Sequence, residues 1–270
     1  LVMLRSPMPS EVRQLIEICD ISLNTQLSVV EKIDRICREK NIKHHIIVMV
    51  ETDDKREGLL PEEVVDFCRI VTNNFESIEL YGLGTNARCY TKRGPTMGSL
   101  KKLIDLKEKV AEATNKKIPV ISGGNSSIWN LIEKRSVPEG INQVRIGEAI
   151  LLGHNTVDYK PIRRAFIDAF LLEAEIIEVK KKEGDVYNII LALGLQDVNV
   201  KNIHCTNPDL YIIGQSSDHT ILGMKKDEFK RKEDICLIPE TGGTVSFNLD
   251  YFGLLSSMTS PFIKKSYKGI

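Results

Sequence analysis

The chain has 270 residues, 37 Lys and Arg against 37 Asp and Glu, and 42% hydrophobic content. That length and apolar fraction suit one large or two ordinary packed domains, and the balanced charge gives no basic surface for nucleic acid or an anionic membrane. No apolar run reaches the length of a membrane span, no signal-peptide pattern is present, and the scattered cysteines at 19, 37, 68, 89, 205 and 236 form no Cys-x-x-Cys pair, so a cytoplasmic location is expected.

Leu1–Leu4 is apolar and strand-like, and Pro9-Ser-Glu11 opens a helix whose apolar positions Val12, Leu15, Ile16 and Cys19 recur at helical spacing. The pattern repeats: Ile21-Ser-Leu before a helix near 26–40, then His45–Val50 before a helix from Pro61, and Ser77–Gly84 before a helix near 97–115. Ile118–Ile121 precedes a helix from Ser126, and Gln143–Ile146 is the last strand of the series. Strands alternating with helices at this pace predict parallel βαβ units, about six strands where a (β/α)8 barrel has eight. After Gly153 the rhythm changes. Leu171–Val179, Tyr187–Leu193, Leu210–Ile213, Thr220–Met224, Ile235–Ile238 and Thr244–Phe247 are short apolar or alternating runs, which predicts an antiparallel β-domain. The domains are expected at 1–158 and 159–270, joined through Tyr159–Phe170, and the charge runs Lys180–Asp185 and Lys225–Glu233 are expected to be solvated loops.

The residues just after each strand carry the chemistry. Ile118-Pro-Val-Ile-Ser-Gly-Gly-Asn-Ser126 and Val144-Arg-Ile-Gly-Glu148 each run from an apolar segment into small hydrogen-bonding residues that start a helix, which is how a strand end offers backbone N–H groups to a phosphate. Gly123 and Gly124 permit close backbone approach, Asn125 and Ser126 can cap the helix, and Arg145 brings a cation to the same place. Glu51–Gly58 and Gly84-Thr-Asn86 add carboxylate, guanidinium, hydroxyl and amide groups on the same rim. No His, Cys and carboxylate cluster has metal-ligand spacing, so no metal site is assigned and an organic phosphate cofactor is favoured.

In order and spacing, Val50-Glu-Thr-Asp-Asp-Lys-Arg-Glu-Gly58, Tyr81-Gly-Leu-Gly-Thr-Asn86, Ser122-Gly-Gly-Asn-Ser126, Val144–Gly153 and Ser216-Ser-Asp-His219 resemble the fold-type III pyridoxal-phosphate enzymes of the alanine racemase superfamily, in the ornithine racemase-like branch. The resemblance implies a TIM barrel followed by a mainly antiparallel β-domain. It also implies pyridoxal 5'-phosphate as cofactor, a free amino acid as substrate (ornithine or another cationic one), and a homodimer with shared active sites. Ser126, with Gly124, Asn125 and the backbone near Gly147 and Glu148, would hold the phosphate, and Tyr251 would match a further phosphate-binding tyrosine. Arg145 would face the pyridine nitrogen, and Asn86 stands where alanine racemase has the histidine that contacts that arginine. Arg56 would point towards the site. Leu195 occupies the place of the family's second acid/base, a tyrosine; it cannot carry a proton, which leaves His219, with Asp218 as its orienting partner, as the replacement.

In the family the Schiff-base lysine ends the first barrel strand, two βα units upstream of anything resembling Leu1–Pro7, on the order of 60 residues at about 30 per unit. The resemblance therefore implies that this chain is N-terminally incomplete and lacks that lysine. Two other readings are a non-catalytic pyridoxal-phosphate-binding protein and a D-amino-acid aldolase-like enzyme; the adjacent His204 and Cys205 suit the aldolase's metal poorly.

Overall fold

Apolar strands alternate with one-face-apolar helices from the first residues onward in a computed structural model that describes residues 1–182, 186–225, 240–261 and 263. Strands β1 (Val2–Met3), β2 (Ile21–Asn24), β3 (His44–Met49), β4 (Ile78–Gly84) and β5 (Val120–Ser122) pair in that order, all parallel, as a half-barrel sheet. Between them run α1 (Val12–Ile18), α2 (Leu27–Lys40), α3 (Val64–Asn74) and α4 (Met97–Thr114). Helix α2 shows the local logic. It buries Val29, Val30, Ile33, Ile36 and Cys37 along one face and stops where Asn41 turns left-handed, at φ 53°.

Because side chains alternate along a strand, β3 serves two cores. Ile46, Val48 and Val50, which follows its end, pack against the helices with Val30, Ile33, Val64 and Leu103, while Ile47 and Met49 face Leu23, Tyr81 and Val120 on the other side. The C-terminal ends of β3, β4 and β5 meet through backbone bonds from Val50 N–H to Gly84 O at 2.8 Å and from Thr85 N–H to Ser122 O at 3.1 Å. They form one rim.

A second sheet is antiparallel, with strands in the order β8-β11-β6-β7-β10-β9. These are β6 (Leu171–Lys181), β7 (Val186–Leu191), β8 (Ile203–Cys205), β9 (Tyr211–Gln215), β10 (Thr220–Lys225) and β11 (Thr244–Leu249). Its core holds Leu172, Ile176, Ile189, Leu191, Leu222, Phe247 and Leu254, the last from helix α7 (Tyr251–Thr259). By contact the chain divides into one unit of Leu1–Ala149 and His154–Ile162, and another of Ile150–Gly153 and Arg163 onward.

Several sequence expectations change; Lys180 and Lys181, expected in a solvated loop, belong to β6 and pair with Asn188 and Tyr187 of β7. Gln143–Ile146 forms no strand: it meets β5 through a single parallel bridge, Ser122 to Gln143, and its next backbone bond, Arg145 N–H to Gly124 O at 2.9 Å, is to the turn that follows β5. Helix α3 begins at Val64 rather than Pro61, with Glu63 in the capping position. Strand β8 and helix α7 were not expected. The predicted strand Ile235–Ile238 and most of the Lys225–Glu233 charge run lie outside the described residues. No helix among the described residues is long and apolar enough to cross a membrane.

Candidate active site

Two short helices begin at the rim of the parallel sheet, and their approach is written in the backbone. Gly123 N–H donates to Gln143 O at 2.9 Å and Arg145 N–H to Gly124 O at 2.9 Å, so the 142–145 segment is tied to the turn after β5. The buried Ser126 opens a 3-10 turn (Ser126–Ile128) that leads into α5 (Trp129–Glu133); its Oγ accepts the N–H groups of Gly147 at 3.2 Å and Ala149 at 3.3 Å, at the start of α6 (Glu148–Leu152). A Cβ on Gly147 would meet nothing within 4 Å, and one on Gly124 would meet only Thr85 O at 3.9 Å, so both glycines face open space. A hydroxyl beneath converging N–H groups, with room in front of two glycines, fits a phosphate.

Arg145 reaches the same rim. Its Nη2 donates to Thr85 O at 2.7 Å and Asn86 Oδ1 at 2.6 Å, and its Nη1 to Ser122 Oγ. Burial lowers this guanidinium to about 10, opposed by the Glu57 carboxylate, so it remains a cation at neutral pH. Asn86 in turn donates its amide to Glu57 Oε1 at 2.7 Å, and Arg56 binds the same carboxylate oxygen. Burial alone would lower Arg56, but its hydrogen bond to Glu57 and the Asp54 carboxylate at 3.5 Å leave it raised. The result is a chain of alternating charge and dipole, Arg145–Asn86–Glu57–Arg56, across the ends of β3, β4 and β5.

The other sequence-predicted residues are placed as follows. Asn125 uses its side chain as a cap, accepting from Ser127 N–H at 3.0 Å and donating to Ala87 O at 2.9 Å and Cys89 Sγ at 3.0 Å. The Glu148 carboxylate lies 3.4 Å from His154 Nε2, and the N–H that α6 gives Ser126, beside that of Gly147, is Ala149's and not Glu148's. Lys55 is exposed on the 51–58 turn with φ 52°. Glu57, Thr85 and Ser122 hold the arginine relay together, although no separate roles are assigned to them from sequence; strand-end position is the signal for Thr85 and Ser122, and nothing sets Glu57 apart from Glu51, Asp53 and Asp54.

His219, Asp218 and Tyr251 belong to the second unit. His219 Nδ1 is 2.9 Å from Asp218 Oδ1, both side chains well exposed, and hydrogen bonds from Ser216 and then His219 lower the Asp218 carboxyl. The Leu195 backbone is tied to the same 216–219 turn: its N–H donates to Ser216 O at 3.0 Å, and Gln196 N–H to Ser217 O at 3.0 Å. Gly194 permits this, since a Cβ there would lie 2.2 Å from Ser217 O. Tyr251 opens α7 and packs on the second core, behind the Asp250 side chain that caps Gly253 N–H at 2.8 Å. No group of three or more His, Cys, Asp or Glu side chains among the described residues is arranged to hold a metal.

Comparison with known proteins joins these observations. The chain is 31% identical to ornithine racemase of Acetoanaerobium sticklandii, over 98% of its own length and 78% of the relative's. It is 32% identical to lysine racemase of Thermotoga maritima, over 99% and 78%. In fold it is similar to alanine racemase of Clostridium difficile 630, with a TM-score of 0.63 at 19% identity over 91% of this chain and 65% of that one. It is likewise similar to D-threo-3-hydroxyaspartate dehydratase of Delftia sp. HT23, with a TM-score of 0.68 at 15% identity over 95% and 73%. Residues 1–155, which contain the Ser126 and Arg145 turns, match the model of the alanine racemase N-terminal domain, and the chain belongs to that family.

Proposed function

We propose that the protein is a pyridoxal-phosphate-dependent racemase that interconverts the L- and D-forms of a free cationic amino acid, ornithine or lysine. The observation that carries the reading is the part-buried Arg145 guanidinium, held by Ser122, Thr85 and Asn86 beside the Ser126 turn with its two N–H donors. The two curated relatives, an ornithine and a lysine racemase, support the substrate class.

The cofactor, when bound, supplies an electron-withdrawing ring that acidifies the α-hydrogen of an attached amino acid. Ser126 and the turns of Gly124, Asn125, Gly147 and Glu148 hold its phosphate. Arg145 would face the ring nitrogen; a guanidinium that stays charged there would donate a hydrogen bond and keep that nitrogen unprotonated, which would restrict the chemistry the ring supplies to α-proton exchange. Arg56 would point towards the substrate. His219, oriented by Asp218, serves as an acid/base where Leu195 cannot, and Tyr251 supports the phosphate. These second-unit residues act in a homodimer whose subunits share their sites.

Chiral chromatography of L-ornithine and L-lysine, incubated with pyridoxal phosphate and the protein in a form that carries the family's Schiff-base lysine, tests the reading. Mixtures approaching equal L and D from either enantiomer are expected. If the protein binds the cofactor, seen as a shifted absorbance band, and converts neither amino acid, it is a non-catalytic binding protein or acts on another substrate class.

A further inference from the structure

The turn between β3 and α3 enters the sequence reading through Arg56, yet its neighbour Glu57 makes the more central contact. Glu57 Oε1 accepts from Asn86 Nδ2 at 2.7 Å, and Asn86 Oδ1 accepts from Arg145 Nη2 at 2.6 Å. A carboxylate can only accept and a guanidinium can only donate, so the Asn86 amide has one permitted orientation: its NH2 towards Glu57 and its oxygen towards Arg145. Reversing it would set oxygen against oxygen at one end and N–H against N–H at the other. Without Glu57, Arg145 alone would orient the amide, whose NH2 end would be untied, and the Asn86 acceptor would be held less firmly than Thr85 O and Ser122 Oγ.

Charge points the same way. Arg145 is part-buried, and the Glu57 carboxylate raises and the Arg56 guanidinium lowers its hold on a proton. Glu57 is bound to Arg56 and to Asn86, so one carboxylate stands between two guanidiniums. We propose that Glu57 is a positioning residue that acts through Asn86 to hold the Arg145 guanidinium towards the ring nitrogen of bound pyridoxal phosphate. The proposal rests on the functional reading above for the identity of the ring, but its geometry can be tested without any cofactor.

Two variants separate the hydrogen bond from the charge. Glu57→Ala removes both; Glu57→Gln keeps the shape and one acceptor oxygen and removes the charge. Nitrogen-15 NMR of the arginine side chains, recorded on cofactor-free protein, should show resolved, slowly exchanging Arg145 Nη signals in the wild type. Glu57→Ala should collapse them and speed proton exchange about tenfold or more, the scale of one charge-assisted hydrogen bond. Glu57→Gln should restore the resolved signals but lower the pH at which Arg145 gives up its proton, because the opposing negative charge is gone. Titration with pyridoxal phosphate should then show about tenfold weaker binding to Glu57→Ala and an intermediate loss in Glu57→Gln. If the Arg145 signals are the same in wild type and both variants, the relay is wrong, whatever the cofactor does. If they respond as expected but the wild type binds no pyridoxal phosphate, the functional reading fails, and with it the claim that Glu57 positions Arg145 for that ring. An unfolded Glu57→Ala would leave the isosteric Glu57→Gln, with its predicted shift in the Arg145 titration, to decide.

Discussion

Arg145 and His44 are both basic side chains close to the parallel sheet, and their surroundings treat them in opposite ways. Arg145 meets three acceptors and stays charged. His44, fully buried at the start of β3, meets the hydroxyl of Ser22 at 2.8 Å; burial, then the neighbouring His45, push it down from 6.5 to about 4. The fold therefore favours neutral His44. Between about 4 and 6.5 the unfolded chain binds a proton that the folded chain refuses, so this contribution to stability is complete above 6.5 and is lost as pH falls towards 4. At about 1.4 kcal/mol per pH unit the loss reaches roughly 3 kcal/mol. Urea unfolding at pH 7.5 and pH 4.5 should show it, and His44→Gln should flatten that part of the pH dependence; an unchanged dependence would mean His44 is not the group responsible. At this scale the sequence is legible where a residue type is unusual for its place, as with a cation at a strand end. It is illegible where one carboxylate among four on a turn is selected by three-dimensional contact, as with Glu57.

The turn that carries Glu57 is an element in its own right. Residues 51–58 are closed at their base by Glu51 N–H to Leu59 O at 2.8 Å and Leu59 N–H to Met49 O at 2.9 Å. The buried Asp54 fastens the middle, accepting from Tyr90 N–H at 2.7 Å. Gly58 makes the closure geometrically possible, since it sits at φ 121° and an added Cβ would fall 2.4 Å from Glu51 N. Gly58→Ala should therefore cost roughly 3 kcal/mol from backbone strain and the clash together. Because the turn must move to relieve it, cofactor affinity should drop as well; a thermal melt and a pyridoxal-phosphate titration that both match wild type would show that the turn is not so tightly held. Elements with strong alternation or helical spacing were legible, including β3, β4, α2 and α4. Strand β8 has only three residues, too few for a period, and α7 hides because Phe252, Leu255 and Met258 are exposed although apolar. Its one sequence signal was the capping Asp250. The expected strand at Gln143–Ile146 followed from apolar content that could not reveal that β5 ends at Ser122 and offers it only one bridge.

At the scale of the whole chain, the change of rhythm near Gly153 marks two units, but the chain passes between them in an interleaved way that composition conceals. Ala149 gives its N–H to Ser126 in the first unit, whereas Leu152, three residues on, is buried in the core of the second. The candidate residues divide along the same line. Arg145, Asn86 and Ser126 belong to the first unit, and His219, Asp218 and Tyr251 to the second. A homodimer with shared sites would unite them by pairing the first unit of one subunit with the second unit of its partner, and mixed dimers can test that arrangement. His219→Ala and Arg145→Ala should each abolish most racemisation, the first while leaving cofactor binding intact. When the two variants are unfolded together and refolded as an equal mixture, half of the dimers should be mixed. One site in each mixed dimer would then carry both wild-type side chains, so about a quarter of wild-type activity should return. If each subunit instead completes its own site, every site in the mixture lacks one group and nothing returns. Recovery near a quarter would support His219 acting across the subunit boundary; full activity of His219→Ala alone, or no recovery despite mixed dimers on native mass spectrometry, would remove it from that role.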